Sequence, residues 1–236
     1  MEPDADLAAV ASLMADRHRA QFLQALLAGT PQSGSALAAS AGISRSLASA
    51  HLRKLVAGGL VRAQRDGRQQ LYTIASQQVA DALEVLTLLA PPAATRSLRD
   101  YSRARNLRFA RMCYDHMAGI TGVAVTSALL SRDAIAEADG SFVLGPSADA
   151  AFAEAGIDIA GLPRRGRPLT RACMDWSERR HHLAGSLGAA LATALVGHGW
   201  IQRREGTRIV TVTPAGTTGL RDWLGVDLDR LRAEAA

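Results

Sequence analysis

Through the first ninety positions, apolar residues recur at helical spacing and are interrupted once by an alternating stretch. Leu7, Val10, Leu13 and Met14, then Phe22, Leu23, Leu26 and Leu27, predict two amphipathic helices that end at Gly29-Thr30-Pro31. Ser33 or Ser35 is placed to cap a short helix through Ser40, and Gly42 suits the left-handed position that closes one. Ser44 caps the next helix after a very short turn, the spacing of a helix-turn-helix. On that second helix Ala48, Leu52, Leu55 and Val56 are expected to face the core, with Arg45, Ser46, Ser49 and Arg53 opposite. Leu60 and Val61 then begin a strand, Gln64–Arg68 turns on an Asp-Gly pair, and Leu71-Tyr72-Thr73-Ile74 returns. Val79, Leu83, Leu86 and Leu89 predict a last helix before Pro91-Pro92.

Helix, short turn, helix and basic hairpin, in that order, are the parts of a winged helix-turn-helix. In such domains the second helix enters the DNA major groove while the hairpin touches the neighbouring backbone. The chemistry agrees, since Arg grips guanine bidentately and Ser serves a base edge or a phosphate. The candidate DNA contacts are Ser44, Arg45, Ser46, Ser49, His51, Arg53 and Lys54 on the helix, and Arg62, Arg65 and Arg68 on the wing. A polar helix face alone reads equally well as a solvated surface. The arginine-bearing hairpin that follows it favours DNA.

The same residues resemble the ArsR/SmtB family of bacterial transcriptional repressors. The pattern is carried by Ser46, Ser49, His51, Leu52, Leu55, Gly59, Leu60, Val61, Gly67, Arg68 and Tyr72, and the resemblance covers residues 4 to about 90. It implies a homodimer of winged helices that occupies an operator and leaves it when an effector binds. Both familiar metal sites of that family are missing. The helix before the recognition helix reads Ser35-Ala-Leu-Ala-Ala-Ser40 with no Cys-x-Cys, and residues 76–90 contain no His.

A length of 236 residues allows two domains. The expected division is a winged helix-turn-helix at 1–90, a Pro-rich linker at 91–95 and a second domain at 96–236. The expected fold class is mainly α with small β-hairpins. A net charge of +5 suits a phosphate-bearing partner, and the cation is nearly always Arg, with Lys54 the one Lys. Two distant cysteines and an acidic start, MEPDADLAAV, point to a reducing cytoplasm, and no apolar run is long enough to span a bilayer.

Residues 96–131 read as a long, mostly helical stretch with an Arg-rich start at Arg96, Arg99, Arg103, Arg105, Arg108 and Arg111. The run is a solvated face or a second phosphate contact. Farther on, Ala190, Leu195, Val196, Gly199, Trp200 and Ile201 repeat Ala50, Leu55, Val56, Gly59, Leu60 and Val61 at a shift of 140 positions. An Arg-rich turn, Ile209–Val212 and a helix opened by Thr213-Pro214 follow. The second domain is therefore expected to be winged-helix-like. Its helix LAGSLGAALATALVGHG has no basic residue before His198, which suits dimerisation or sensing rather than phosphate.

Two clusters there carry chemistry. Cys113-Tyr114-Asp115-His116 places a thiol and an imidazole three apart, as on one helix face, and residues 173–182 supply Cys173, Trp176, His181 and His182. Three readings stay open: a site for a transition metal or haem, an organic-effector pocket lined by Trp176, Met174, His182 and Tyr114, or buried structural thiols without a cofactor. A Cys-His nucleophile is a fourth, but no phosphate loop, elbow motif or third orienting residue accompanies it. The expected function is a homodimeric DNA-binding repressor released by a small molecule or metal. An architectural DNA-binding protein without an effector is the alternative.

Overall fold

The computed structural model of the chain describes residues 4–91, 97–163 and 166–235. The linker expected at 91–95 falls outside the described residues beyond Pro91, as does Arg96. The chain forms two compact units, the first ending at Leu86 and the second beginning at Thr87. Both are mainly helical with small antiparallel sheets.

The first unit runs α1 (Leu7–Met14), α2 (Arg17–Leu26), β1 (Gln32–Ser33), α3 (Gly34–Ala41), α4 (Arg45–Ala57), β2 (Val61–Asp66), β3 (Gln69–Ile74) and α5 (Gln77–Leu89), the last continuing past the boundary. Side-chain oxygens satisfy the first orphan N–H groups of its helices: Asp16 accepts from His18 and Arg19, Ser33 from Ala36, and Ser44 from Leu47. Gly42 ends α3 at φ 66, which frees Ser44 to start α4 two residues later. Phe22, Leu23, Leu26, Leu37, Ala48, Leu52, Leu55, Leu60, Val61 and Ile74 are buried together as the three helices and the hairpin close on one another.

Two expectations here need correction. Val56 is 37% exposed, because it lies one step beyond Leu55 on the turn of α4 and rotates away from the core. The wing is also longer than its hydrophobic pattern implied. Arg65 pairs with Gln70 and Asp66 with Gln69, so the loop is only Gly67-Arg68, with Gly67 at φ 56. Charged residues stay in strand because both faces of this hairpin tip meet solvent. β1 pairs with β3, giving the strand order β1-β3-β2.

The second unit is a duplication. After α6 (Leu98–Phe109) come β4 (Arg111–Cys113), β5 (His116–Ala118), α7 (Gly119–Ser131), β6 (Ile135–Ala138), β7 (Ser141–Leu144) and α8 (Ala148–Glu154). The same sequence of parts then recurs as β8 (Arg171–Met174), β9 (His181–Ala184), α9 (Gly185–Gly197), β10 (Ile201–Arg203), β11 (Val210–Val212) and α10 (Pro214–Leu224), followed by α11 (Leu228–Glu234). Arg111-Met-Cys-Tyr-Asp115 answers Arg171-Ala-Cys-Met-Asp175, and Met117-Ala-Gly119 answers Leu183-Ala-Gly185. Gly119 and Gly185 open their helices at φ +78 and +84, and an added Cβ would sit 2.4 Å from the Arg108 carbonyl oxygen and 2.6 Å from that of Leu169. The two halves share one core that includes Met112, Leu129, Ile135, Phe152, Leu187, Leu195 and Trp223.

This arrangement changes two expectations. Residues 96–131 are not one mostly helical stretch, since α6 stops at Phe109 and a hairpin precedes α7. Cys113 and His116 therefore face each other across a hairpin instead of sharing a helix face, with Tyr114 turning the chain at φ 61. The helix-hairpin-helix order anticipated near the C-terminus is present as α9, β10–β11 and α10. Its fuller partner is α7, β6–β7 and α8 of the same unit, and a β-hairpin stands before each copy where a helix-turn-helix would have helices.

Candidate DNA interface and a buried Cys-His cluster

α4 spans thirteen residues, roughly 20 Å at the helical rise. Its inward side is the Ala48, Leu52 and Leu55 stripe, which leaves Arg45, Ser46, Arg53 and Lys54 exposed and Ser49 half-buried. The Ser44 and Ser46 hydroxyls lie 3.0 Å apart at the N-terminus, and Arg53 Nη1 donates to Ser49 Oγ at 2.9 Å. The exposed surface thus carries donors and acceptors together with three cations. Next to it in the chain, Arg62, Arg65 and Arg68 are all exposed on the β2–β3 hairpin.

His51 does not belong to that surface. It sits on the inner flank of α4, its Nδ1 3.6 Å from Asp16 Oδ1 and its ring against His18 and Phe22 of α2. Its position one residue before Leu52 turns it toward the first helices, so it packs the scaffold beneath the exposed face.

In the second unit, four of the seven sequence candidates converge. Cys113 pairs with His116 across β4–β5, and Cys173 with His182 across β8–β9, so each hairpin presents one thiol and one imidazole on one face. The ligand atoms of all four residues lie within 4.8 Å of one another. The two Sγ atoms are 3.8 Å apart, and the imidazoles stack at 5.0 Å between centroids. Cys113, His116 and His182 are buried and Cys173 is half-buried.

Acidic and basic groups outside the seven sequence candidates surround the cluster. Asp115 Oδ1 lies 3.1 Å from His116 Nδ1, and Arg167 donates to the same carboxylate at 2.6 Å. Asp175 is fully buried, accepts from Arg111 Nη2 and from the Gly119 N–H at 2.7 Å each, and lies 3.6 Å from His182 Nδ1. Burial alone would raise both carboxyls. It is outweighed at Asp115 by the His116 and Arg167 contacts, which bring its pKa to about 2, and at Asp175 by the Arg111 guanidinium, which holds it well below the usual range. Burial likewise opposes the charge on His116, but the Cys113 and Asp115 charges push it up to about 9. His182 goes the other way, held well below its ordinary value by burial and by the positive His116 beside it.

The remaining three candidates lie outside the cluster. Trp176 covers the Arg111 guanidinium at 4.3 Å, Tyr114 forms the hairpin turn, and His181 is exposed with its ring edge-on to Phe142. The signal for the missed aspartates was the Arg-x-Cys-x-Asp repeat, Arg111–Asp115 against Arg171–Asp175.

Comparison with known proteins addresses the first unit most directly. A family model described as a helix-turn-helix domain matches residues 14–64. YdfF of Bacillus subtilis (strain 168), described as an uncharacterized HTH-type transcriptional regulator, is 33% identical over 223 residues, covering 94% of this chain and 99% of YdfF. The chain belongs to the HTH-type transcriptional regulators. Within that class its recognition-helix and wing residues resemble the ArsR type. The HTH-type transcriptional regulator Rv0324 of Mycobacterium tuberculosis is 37% identical over 84 residues, 36% of this chain and 37% of that protein. Among solved structures, the homodimeric winged helix-turn-helix DNA-binding domain (fragment 1–100) of Mb0332 from Mycobacterium bovis covers 38% of this chain and 89% of its own, at 33% identity and a TM-score of 0.34. Because the match to YdfF runs almost end to end, it takes in the duplicated second unit as well as the helix-turn-helix. No helix among the described residues is long and apolar enough to cross a membrane.

Proposed function

We propose that this regulator is a homodimeric repressor that grips an operator through α4 and the β2–β3 wing and is released by an effector acting on residues 96–236. The observation that carries the DNA-binding part is the exposed face of α4. A fully closed apolar stripe lies beneath it, so Arg45, Ser46, Arg53 and Lys54 are left to serve a ligand instead of the core. Base readout falls to Arg45, Ser46, Ser49 and Arg53, and phosphate contact to Ser44, Lys54, Arg62, Arg65 and Arg68. Dimerisation is supported by apolar surface that the first unit leaves uncovered. α1 has no buried residue, with Leu7 76% exposed, and Val85 and Leu86 on α5 are also exposed. The homodimeric state of the Mb0332 domain is in keeping with this reading.

The test is operator binding by fluorescence anisotropy, with DNA selected from a random pool by the full chain. Arg45→Ala and Arg53→Ala should each weaken the selected site by about 1–3 kcal/mol while leaving the thermal unfolding midpoint unchanged. Wild-type affinity in both variants would move the reading surface off α4.

A further inference from the structure

We propose that Cys113, His116, Cys173 and His182 hold a single divalent transition-metal ion, zinc in the first place, which clasps the two halves of the second unit together. This rests on the geometry of the second unit and is independent of how the first unit binds DNA.

The first observation is the size and shape of the donor set. Four ligand atoms within 4.8 Å of one another surround a space for one ion and leave no room for a porphyrin or a two-iron cluster between them. In a tetrahedral zinc site with Zn–S near 2.3 Å, two thiolate sulfurs are separated by about 3.8 Å. The Cys113 and Cys173 sulfurs are 3.8 Å apart. A disulfide would need about 2.05 Å.

The second observation is independent of that spacing. His116 Nε2 and both ring nitrogens of His182 are buried without a hydrogen-bond partner among the described residues, although each imidazole is only 1% exposed. Buried polar atoms are ordinarily satisfied, and an unsatisfied nitrogen on each of two imidazoles packed beside two thiols marks a missing partner that accepts electron pairs. A metal ion is such a partner. Two thiols would lose their protons to solvent on binding, and two thiolates with a 2+ ion and neutral imidazoles make a site of zero net charge. That is the form in which such a cluster can be buried.

The surroundings have the second-sphere arrangement of a metal histidine. Asp115 engages His116 Nδ1, which fixes that ring with Nε2 directed to the cluster. Asp175 stands beside His182 Nδ1 in the equivalent place, tied down by Arg111 and the start of α7. All four coordination positions are filled by protein, as in a closed structural site, so the ion would clasp the halves instead of performing a reaction. Each hairpin contributes one Cys and one His, and neither half can complete the site alone.

Elemental analysis of the full chain, purified with reductant and without a polyhistidine tag, should find close to one zinc per chain. After chelator treatment, cobalt(II) should restore one ion per chain with the strong visible bands of tetrahedral cobalt and a thiolate-to-cobalt charge-transfer band, and zinc should bleach both. Cys173→Ser changes the one half-buried ligand. It should weaken cobalt binding and lower the charge-transfer band, whereas His181→Ala, outside the cluster, should behave as wild type. Asp115→Asn should keep the tetrahedral spectrum but lower affinity about 10–100-fold, as loss of a positioning partner does. A stripped wild-type chain that stays folded by circular dichroism yet shows no cobalt bands, or only weak octahedral ones, overturns the proposal. So does a Cys173→Ser variant with wild-type affinity and band intensity.

Discussion

Arg111 and Asp175 show how much a single pair can carry in this chain. Both are essentially inaccessible to solvent, joined at 2.7 Å, and they link β4 of one half to the loop after β8 of the other. Two charges withdrawn from water are tolerated only because each is satisfied several times over. Asp175 also accepts from Gly119, Ser177 and Glu178, and Arg111 also donates to Ser177 beneath the Trp176 ring. Arg111→Met keeps the length but strands the carboxylate, and should destabilise the second unit by about 3–5 kcal/mol in urea denaturation. Adding Asp175→Asn should recover part of that loss, because the charge is removed while an oxygen remains for Gly119. No recovery in the double variant would mean that packing of the arginine stem dominates. The aspartates beside the histidines were hard to see in advance, since each follows a Cys by two residues in a stretch whose strand character is weak. They gain meaning only when the two hairpins meet.

At the scale of elements, legibility followed local signals. α3, its Gly42 stop and the Ser44 cap of α4 were readable because each depends on neighbours within a few residues. The β4–β5 hairpin was not. Cys113 and His116 at a spacing of three suit one face of a helix as well as the two ends of a two-residue turn, and Tyr114 at φ 61 replaces the glycine or asparagine that would have announced the turn. The duplication hid for a related reason. The segment between Cys173 and His182 is longer than that between Cys113 and His116, so no fixed shift aligns both members of the pair. The wing is the element whose role is most open to direct measurement. With Gly67-Arg68 at its tip and Arg65 in the second pair from it, its exposed cations would contact phosphate on the proposed reading. Arg65→Ala and Arg68→Ala should weaken binding to any DNA sequence and flatten the slope of log affinity against log salt by about one unit each. Lost sequence preference at an unchanged slope would assign the wing to base reading.

For the whole molecule, the decisive quantity in the proposed dimer is the distance between two copies of α4. A single recognition helix touches few base pairs, and specificity over a genome needs two half-sites read together. In a two-fold dimer the helices address half-sites about 34 Å apart, one turn of B-DNA, or a multiple of that. The first unit has the uncovered apolar surface such a dimer requires, on α1 and α5. Leu7→Glu with Leu86→Glu should therefore shift the chain from dimer to monomer in sedimentation velocity, and its affinity for the full operator should fall toward that for an isolated half-site. Inserting five base pairs between the half-sites should have the same effect on the wild-type protein, since it rotates one half-site by about half a turn. Ten inserted base pairs restore the face of the helix but not the distance, and should recover binding only if the dimer spans a second turn. A monomeric variant that keeps full operator affinity would place specificity in one α4 and its wing alone, and would remove the dimer from the account of how this regulator reads DNA.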